Sequence, residues 1–276
     1  MTLRRLLPLL CLGLCTAALV GCGGDTLAFE PVASAATKTA DSTSARVAFV
    51  ASINATGVGT MSFSGTGVYD GRSKSGWLDM NFALPPAAQA QLGSSPSMQM
   101  MFDGSHGFVM YMRSSLFRTL PAGTWVKMDL AKLADKKGLD LGALMNANQA
   151  DPSQTLRMLM ASSDARVLNY DRVRGVLTTH YAFRVDLKRL ADENKGLRKS
   201  LEQLIDVAGV DSYPAEAWID AQGRVRRIKV SMSFGPAAGN ATMTMTEELY
   251  GFGVRVNIQP PTDHVVDMSA LIGSGS

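Results

Sequence analysis

Alternation of apolar and polar side chains with a period of two is the feature that most constrains this 276-residue chain. Val47, Phe49 and Ala51 share one face of an extended segment, and the same pattern returns in later segments up to residue 245. Strands of an antiparallel sheet with one dry face and one wet face have this pattern. It predicts about eleven strands, near residues 45–55, 58–69, 76–84, 97–102, 106–113, 124–129, 165–173, 176–186, 215–220, 225–234 and 240–256.

Residues that favour tight turns separate the predicted strands. Glycine and its usual turn partners supply the backbone conformations that hairpin connections need. The turn pairs are Asp70-Gly71, Asp103-Gly104, Arg174-Gly175, Gln222-Gly223 and Gly235-Pro236. They support an antiparallel arrangement of the strands.

Helical periodicity is modest and is strongest in the middle of the chain. Asp151 and Pro152 have the residue types of an N-cap and a first helical position. Apolar residues recur at helical spacing from Leu187 to Ala208, with Gly196 as a kink or a break. Weaker helical patterns occur at 87–92 and 130–144.

The predicted sheet is broad, whereas the helices that cover its dry face are few. A single sheet of about eleven long strands curls. We therefore expect the α+β class, with a large curved antiparallel sheet packed on a few helices and an apolar cavity between the two layers. The dry-face residues expected to face the helices and line this cavity are Phe82, Met110, Phe183, Val230 and Met232.

Methionine is abundant on the predicted strands. The chain has 16 methionines, and this flexible side chain adapts to varied ligand shapes. A dry face rich in methionine suits a cavity for acyl chains. A packed core in which methionine replaces isoleucine and valine explains the same pattern.

The N-terminus has the layout of a secretory signal. Arg4 and Arg5 precede an apolar run from Leu6 to Val20, which is shorter than the ~20 residues of a spanning helix. The end of this run and the two residues after it, Leu19-Val20-Gly21-Cys22, resemble the lipobox of bacterial lipoproteins. The resemblance implies cleavage before Cys22 and attachment of lipid to its sulfur. An ordinary secretory signal with a chance cysteine is the alternative.

The domain plan follows from this signal. Residues 1–21 are the predicted signal peptide, and residues 22–44 are the lipidated cysteine and a flexible tether rich in Ala, Ser and Thr. Residues 45–271 form one domain, and 272–276 are a tail. The protein is then expected on the extracytoplasmic face of the bacterial cell membrane, where the Cys22 lipid makes the membrane its partner.

Composition and motifs argue against several other functions. The chain has 27 Lys+Arg against 24 Asp+Glu, and this small excess is spread along the sequence, so we expect no nucleic-acid partner. The three histidines are far apart, and no catalytic GxSxG motif occurs. We therefore expect no enzyme activity, no cofactor and no metal, and a monomer.

Several short motifs occur in an order that resembles exported bacterial lipoproteins with a LolA-like half-barrel, the LppX and LprG group. The resemblance implies a half-barrel sheet over helices, with a cavity for acylated lipid. The motifs are Phe102-Asp103-Gly104, the segment Leu120 to Leu130, Asp151-Pro152, Arg174 to Tyr181, Ala217 to Asp220, Gly223 to Arg227, and Pro260-Pro261.

Two non-enzymatic functions remain open from the sequence, beside a hydrolase whose catalytic motif is not recognisable in it. One is a membrane-anchored lipoprotein that binds or carries a lipidic or acylated ligand in the apolar cavity. The other is an envelope interaction or sensor module with the same fold and no lipid cargo. An open apolar cavity favours the first, and a fully packed interior favours the second.

The lipobox generates the first testable prediction. Replacing Cys22 by Ala removes the sulfur that carries the lipid, so the protein should move from the membrane fraction to soluble or unprocessed fractions. Mass spectrometry of the wild type should find a mature chain that starts at lipidated Cys22. A mature chain with another first residue and an unmodified cysteine would contradict the prediction.

Overall fold

The strands within the described residues form one sheet of twelve. The computed structural model describes residues 44–57, 59–70, 75–92, 96–104, 109–129, 162–193, 198–235 and 240–268, together with Ala35, Thr39 and Ser73. The strands are β1 (Ser44–Ala55), β2 (Gly59–Asp70), β3 (Ser75–Ala83), β4 (Ser97–Asp103), β5 (Val109–Ser114), β6 (Trp125–Asp129), β7 (Ser162–Val173), β8 (Val176–Asp186), β9 (Ser212–Asp220), β10 (Val225–Ser233), β11 (Ala241–Tyr250) and β12 (Val265–Asp267).

Two meanders build the sheet. Strands β1 to β6 pair with their neighbours in sequence, and so do β7 to β11. The two meanders join where β1 pairs antiparallel with β11. The complete order is β12-β6-β5-β4-β3-β2-β1-β11-β10-β9-β8-β7, so β12 and β7 are the two edges.

Three helices lie within the described residues: α1 (Pro86–Leu92), α2 (Leu187–Glu193) and α3 (Arg198–Ala208). The helical pattern predicted after Asp186 is thus confirmed as two helices, on either side of Gly196. The helices predicted at 130–144 and after Asp151 lie outside the described residues. No helix in the described ranges is long and apolar enough to cross a membrane.

The predicted α+β class with a large sheet and few helices is confirmed, and the strand count differs by one. The sequence analysis missed β12, which pairs parallel with β6. Three residues are too few to show a period of two, so nothing in the sequence marked this strand. The amide of Trp125 also donates to the carbonyl of His264 at 2.8 Å, where the two strands meet.

The cross-strand register divides the sheet into an apolar face and a polar face. Phe49 is opposite Glu247 and Gly65, and the next pair, Val50 and Thr246, points to the other side. Followed across the ladder, this alternation places Val230, Phe183 and Met100 on the same side as Phe49. We call this side the apolar face and the opposite side the polar face.

The compact core occupies one half of the apolar face. Helices α2 and α3 supply Leu187, Leu190 and Leu201, all buried, and these belong to one cluster with the inner residues of β8, β9 and β10. Burying a leucine side chain stabilises a fold by about 1.5–3 kcal/mol. The inner strand residues of this cluster are Tyr181, Phe183, Val185, Tyr213, Ala215, Ala217, Ile219, Val225, Ile228 and Val230.

Two residues of the predicted tether also reach this core. Ala35 is fully buried within the cluster, and the Thr39 hydroxyl donates to the Ala35 carbonyl at 2.7 Å. The amide of Val225 donates to the same hydroxyl at 2.8 Å. Thr39 thereby satisfies an amide at the start of β10, beside a register shift of the β9–β10 ladder. Ala35 and Thr39 therefore pack against the core, although the composition of residues 22–44 predicts only a flexible linker.

Two glycines let aromatic rings lie against the apolar face. A Cβ on Gly65 would stand 2.6 Å from the Phe49 ring, and one on Gly76 would stand 2.0 Å from the Phe102 ring. Both distances are shorter than side chains tolerate. The rings therefore take the space that side chains would otherwise fill on β2 and β3.

The core generates a stability prediction. Leu190→Ala should lower the free energy of unfolding by about 2–5 kcal/mol, because the side chain is fully buried under the sheet. Leu177→Ala is the control, since this leucine of β8 is 54% exposed, and it should cost much less. Urea denaturation of both variants measures these changes. An equal loss of unfolding free energy in the two variants would show that Leu190 does not belong to the core.

Candidate functional site

The apolar face is not covered evenly. Beyond the core cluster, most apolar-face side chains on β1 to β6 and β11 keep part of their surface accessible, although nearly all of them are apolar. The buried exceptions are Ala45, Ala51, Phe102, Val126, Ala241 and Leu249. We call this region the accessible half. Its partly accessible side chains are Val47, Phe49, Ile53, Met61, Phe63, Leu78, Met80, Phe82, Met98, Met100, Met110, Met112, Met128, Met243, Met245 and Glu247.

Aromatic and methionine side chains form most of this surface. Phe49, Phe63 and Phe82 make a row across β1, β2 and β3, with successive ring centroids 6.3 Å apart. Methionines occupy facing positions on the next strands, as where Met100 is opposite Met112. The row is rigid and the methionines are adaptable. Together they make a surface suited to alkyl chains of varied shape.

The five residues predicted to line a cavity divide between the two halves. Phe183 and Val230 are buried in the core cluster with the leucines of α2 and α3, and Met232 packs against that cluster. Phe82 and Met110 lie in the accessible half. All five share the apolar face, and their contact with a ligand remains a prediction. Cys22 lies outside the described residues.

One charged residue on this face was not predicted. Glu247 lies on β11 between Phe49 of β1 and Ile228 of β10. Its position continues the series Ala241, Met243, Met245, so extending the alternation two residues further would have found it. Among the described positions of the apolar face on β1–β6 and β8–β12, it is the sole carboxylate.

The environment of Glu247 disfavours its charge. Burial raises the pKa of this carboxyl from 4.5 to about 7, because a desolvated carboxylate is costly. Within the described part of the chain, no hydrogen bond or ion pair compensates for that cost. The side chain nevertheless keeps accessible surface. Glu247 therefore presents to the apolar face a carboxyl that keeps accessible surface and has no hydrogen-bond or ion-pair partner among the described residues.

The adjacent carboxylate, Glu248, has the opposite environment. It lies on the polar face and accepts hydrogen bonds from Arg174 at 2.8 Å and Arg227 at 2.6 Å. Burial alone would raise the pKa of Glu248, but these two guanidinium groups outweigh it and lower the pKa. The polar face thus satisfies its charges internally.

His180 belongs to the same paired surface. Its ring stacks on Trp218 with centroids 3.9 Å apart, and its Nε2 lies 2.8 Å from Glu216, which also accepts from Lys229 at 3.0 Å. Burial would raise the pKa of Glu216, but the Lys229 and His180 contacts lower it. The arrangement gives His180 a structural role beside an aromatic ring.

The arginines at the β9–β10 turn are also paired. Arg224 and Arg226 both donate to the buried carboxylate of Asp220, at 3.2 Å and 2.6 Å, and both guanidinium groups lie over the Phe252 ring. The arginines here therefore belong to a polar sheet face whose charges are paired. Within the described residues, no three potential metal ligands come together.

An open groove of about 740 Å³ at the ends of β3 to β6 is a second candidate site. Its polar groups bond to one another: Arg113 donates to Gln99 at 2.9 Å, and Gln99 donates to Asp79 at 2.8 Å. Arg113 also lies over the Trp125 ring. Because these groups already have partners, the groove offers less to a ligand than the accessible half does.

Glu247 generates a pH-dependent prediction. Its folded-state pKa is raised, so its destabilising effect is absent below pH 4.5, grows between pH 4.5 and 7, and is complete above pH 7. Glu247→Gln should therefore stabilise the ligand-free protein at pH 8, by on the order of 2–3 kcal/mol, and have little effect at pH 4.5.

Denaturant titrations of the two proteins at both pH values measure this difference. Carboxylates with lowered pKa values, such as Glu216 and Glu248, lose stability as the pH falls, but they contribute equally to both proteins. An equal effect of Glu247→Gln at both pH values would contradict the assigned environment.

No family model matches the chain. A Streptomyces griseus protein described as an uncharacterized 31.2 kDa protein in the rplA-rplJ intergenic region is 24% identical over 156 residues, 55% of this chain and 50% of that protein. The chain thus spans about half the length of the curated relative it matches.

Solved structures match over most of the chain. LprF from Mycobacterium bovis has a TM-score of 0.48 and 13% identity, with 87% of this chain and 99% of LprF covered. The lipoprotein LppX from Mycobacterium tuberculosis has a TM-score of 0.40 and 11% identity, over 84% of this chain and 98% of LppX. A LolA superfamily protein from Nitrosomonas europaea has a TM-score of 0.28 and 7% identity, over 84% and 94%.

At these identities the likeness concerns the fold alone. LppX and a LolA superfamily protein, which stand for the groups that the order of motifs resembles, are among the matches. The chain is similar to the lipoproteins LprF and LppX and to this LolA superfamily protein over 84–87% of its length.

Proposed function

We propose that this protein is an exported, membrane-anchored lipoprotein that binds or carries a lipidic or acylated ligand on the accessible half of its apolar face. One observation carries the proposal: a continuous surface of aromatic, aliphatic and methionine side chains crosses β1 to β6 and β11 and is only partly covered. The carrier has no catalytic step, and it reaches the membrane through lipid on Cys22.

The two halves of the sheet differ in how much of their apolar surface is removed from water. Apolar surface removed from water stabilises a protein by roughly 25 cal/mol per Å². The core half uses this gain fully, because Leu187, Leu190 and Leu201 close over it. The accessible half forgoes part of the gain. An acyl chain laid against Phe63, Met80 and their neighbours would bury the same surface and supply that stabilisation as binding energy.

The composition of the accessible half suits a chain-like ligand. Methionine side chains change rotamer easily and keep contact with alkyl groups of different length or branching. Met80, Met98, Met100 and Met112 occupy neighbouring positions on β3, β4 and β5. The Phe49–Phe63–Phe82 row borders them and provides a fixed wall. Such a surface selects for apolar character more than for one shape.

A fluorescent fatty-acyl probe tests the proposal. The wild type should bind the probe and enhance its emission, and Met80→Asp should weaken binding by tenfold or more, because a carboxylate would be buried beneath the acyl chain. The matched control is Thr66→Asp, which adds the same charge to an exposed position of the polar face and should bind as the wild type does. Circular dichroism confirms that both variants fold.

Two results would count against the site. Failure of the wild type to bind any acyl probe would contradict lipid carriage. Equal weakening by Met80→Asp and Thr66→Asp would show that binding does not depend on the apolar face.

A specific feature also favours the alternative, an envelope interaction module. Edge strand β7 exposes Val167, Leu168 and Tyr170, the last at 73%. An unpaired edge with apolar side chains is a template for strand addition by another chain. This function predicts that Tyr170→Lys abolishes a partner contact and leaves acyl-probe binding unchanged, which separates it from the carrier function.

A further inference from the structure

We propose that Glu247 is the polar contact for the ligand, and that this ligand carries a hydrogen-bond donor, a hydroxyl or an ammonium group, next to its acyl chains. The inference rests on the proposed function and names the chemistry of the ligand at that site. Its basis is the Glu247 carboxyl group, with which the described neighbouring residues form no hydrogen bond or ion pair.

The position of Glu247 is central. Strand β11 pairs with β1 of the first meander and with β10 of the core half, so Glu247 lies at the border of the accessible half, next to the core half. Its cross-strand neighbours are Phe49 and Ile228, and its neighbours on the same face of β11 are Met245 and Leu249. None of these four side chains can donate a hydrogen bond to it.

Among the described residues, no group uses this acceptor. Of the carboxylates on the adjoining polar face, Glu216, Asp220 and Glu248 each receive bonds from two side chains. In the described residues, the Glu247 carboxyl has none. Burying a polar group without a partner costs free energy that an apolar residue would avoid. The same strand position occupied by leucine would be more stable in the free protein.

A ligand resolves this cost if it brings the missing donor. The Glu247 side chain keeps accessible surface, so a group on the ligand can reach it without displacing a protein bond. An ionised carboxylate accepts strongly from a hydroxyl or an ammonium group, and such a bond is stronger where water is excluded. The apolar neighbours would hold acyl chains on either side of that bond. The ligand chemistry that fits is a neutral or cationic amphiphile with a donor close to its chains.

Three matched probes test the donor. Dioleoylglycerol has a free primary hydroxyl, its acetyl ester has the same oleoyl chains and no donor, and its amino analogue presents an ammonium group. Binding to the purified, delipidated protein is measured at pH 8. The wild type should prefer the hydroxyl or the amino probe over the acetyl ester by about 10- to 100-fold. Which donor binds more tightly identifies the group.

The variant that removes the acceptor is Glu247→Leu. It should bind the acetyl ester at least as well as the wild type does, and its preference for a donor should fall to about onefold. Glu202→Leu is the control, since Glu202 is exposed on α3 and its replacement removes the same charge; the preference should persist. The melting temperature of Glu247→Leu should rise at pH 8, which shows that the variant folds.

The outcomes separate this inference from the carrier function. Equal binding of all three probes by the wild type would overturn the role of Glu247 and leave the carrier function standing. A donor preference that persists in Glu247→Leu would do the same. Binding of none of the probes by any variant would overturn lipid binding and this inference with it.

Discussion

The burial of one broad apolar face is the constraint on which the rest of the structure depends. In the part of the chain that the structure describes, twelve strands form a single sheet, and regular strands contribute every second side chain to that face. Within the described residues, helices α2 and α3 share one buried cluster with β8 to β10, where they complete the compact core. The remaining apolar surface is partly accessible, so the fold combines a stable half with a half suited to binding. The same side-chain alternation produces both.

The polar face shows how the sheet carries its charges. Pairs such as Glu248 with Arg174 and Arg227 keep carboxylates ionised by donating hydrogen bonds to them. Because the side-chain period is two, adjacent residues on β11 fall on opposite faces. Glu247 is thereby separated from every partner that serves Glu248. Two neighbouring glutamates with pKa values shifted in opposite directions are a direct consequence of strand geometry.

The sequence predicted the sheet well, because period-two alternation is a strong signal in strands of nine to twelve residues such as β1, β3 and β10. It failed for β12, which is three residues long and pairs with a strand distant in sequence. The sequence also did not predict the burial of Ala35 and Thr39, because that burial depends on tertiary contacts. For the predicted cavity residues, the sequence correctly indicated that they lie on the apolar face of the sheet. Their division between packed core and accessible surface was not, because it depends on where α2 and α3 cross the sheet.

If acyl chains cover the accessible half, native mass spectrometry of the protein purified from its own host membrane should detect them. We expect a complex heavier than the lipidated chain by one non-covalent lipid, which dissociates on collisional activation and is absent from the Met80→Asp variant. A wild type that carries no lipid, at the mass of the lipidated chain alone, would contradict it.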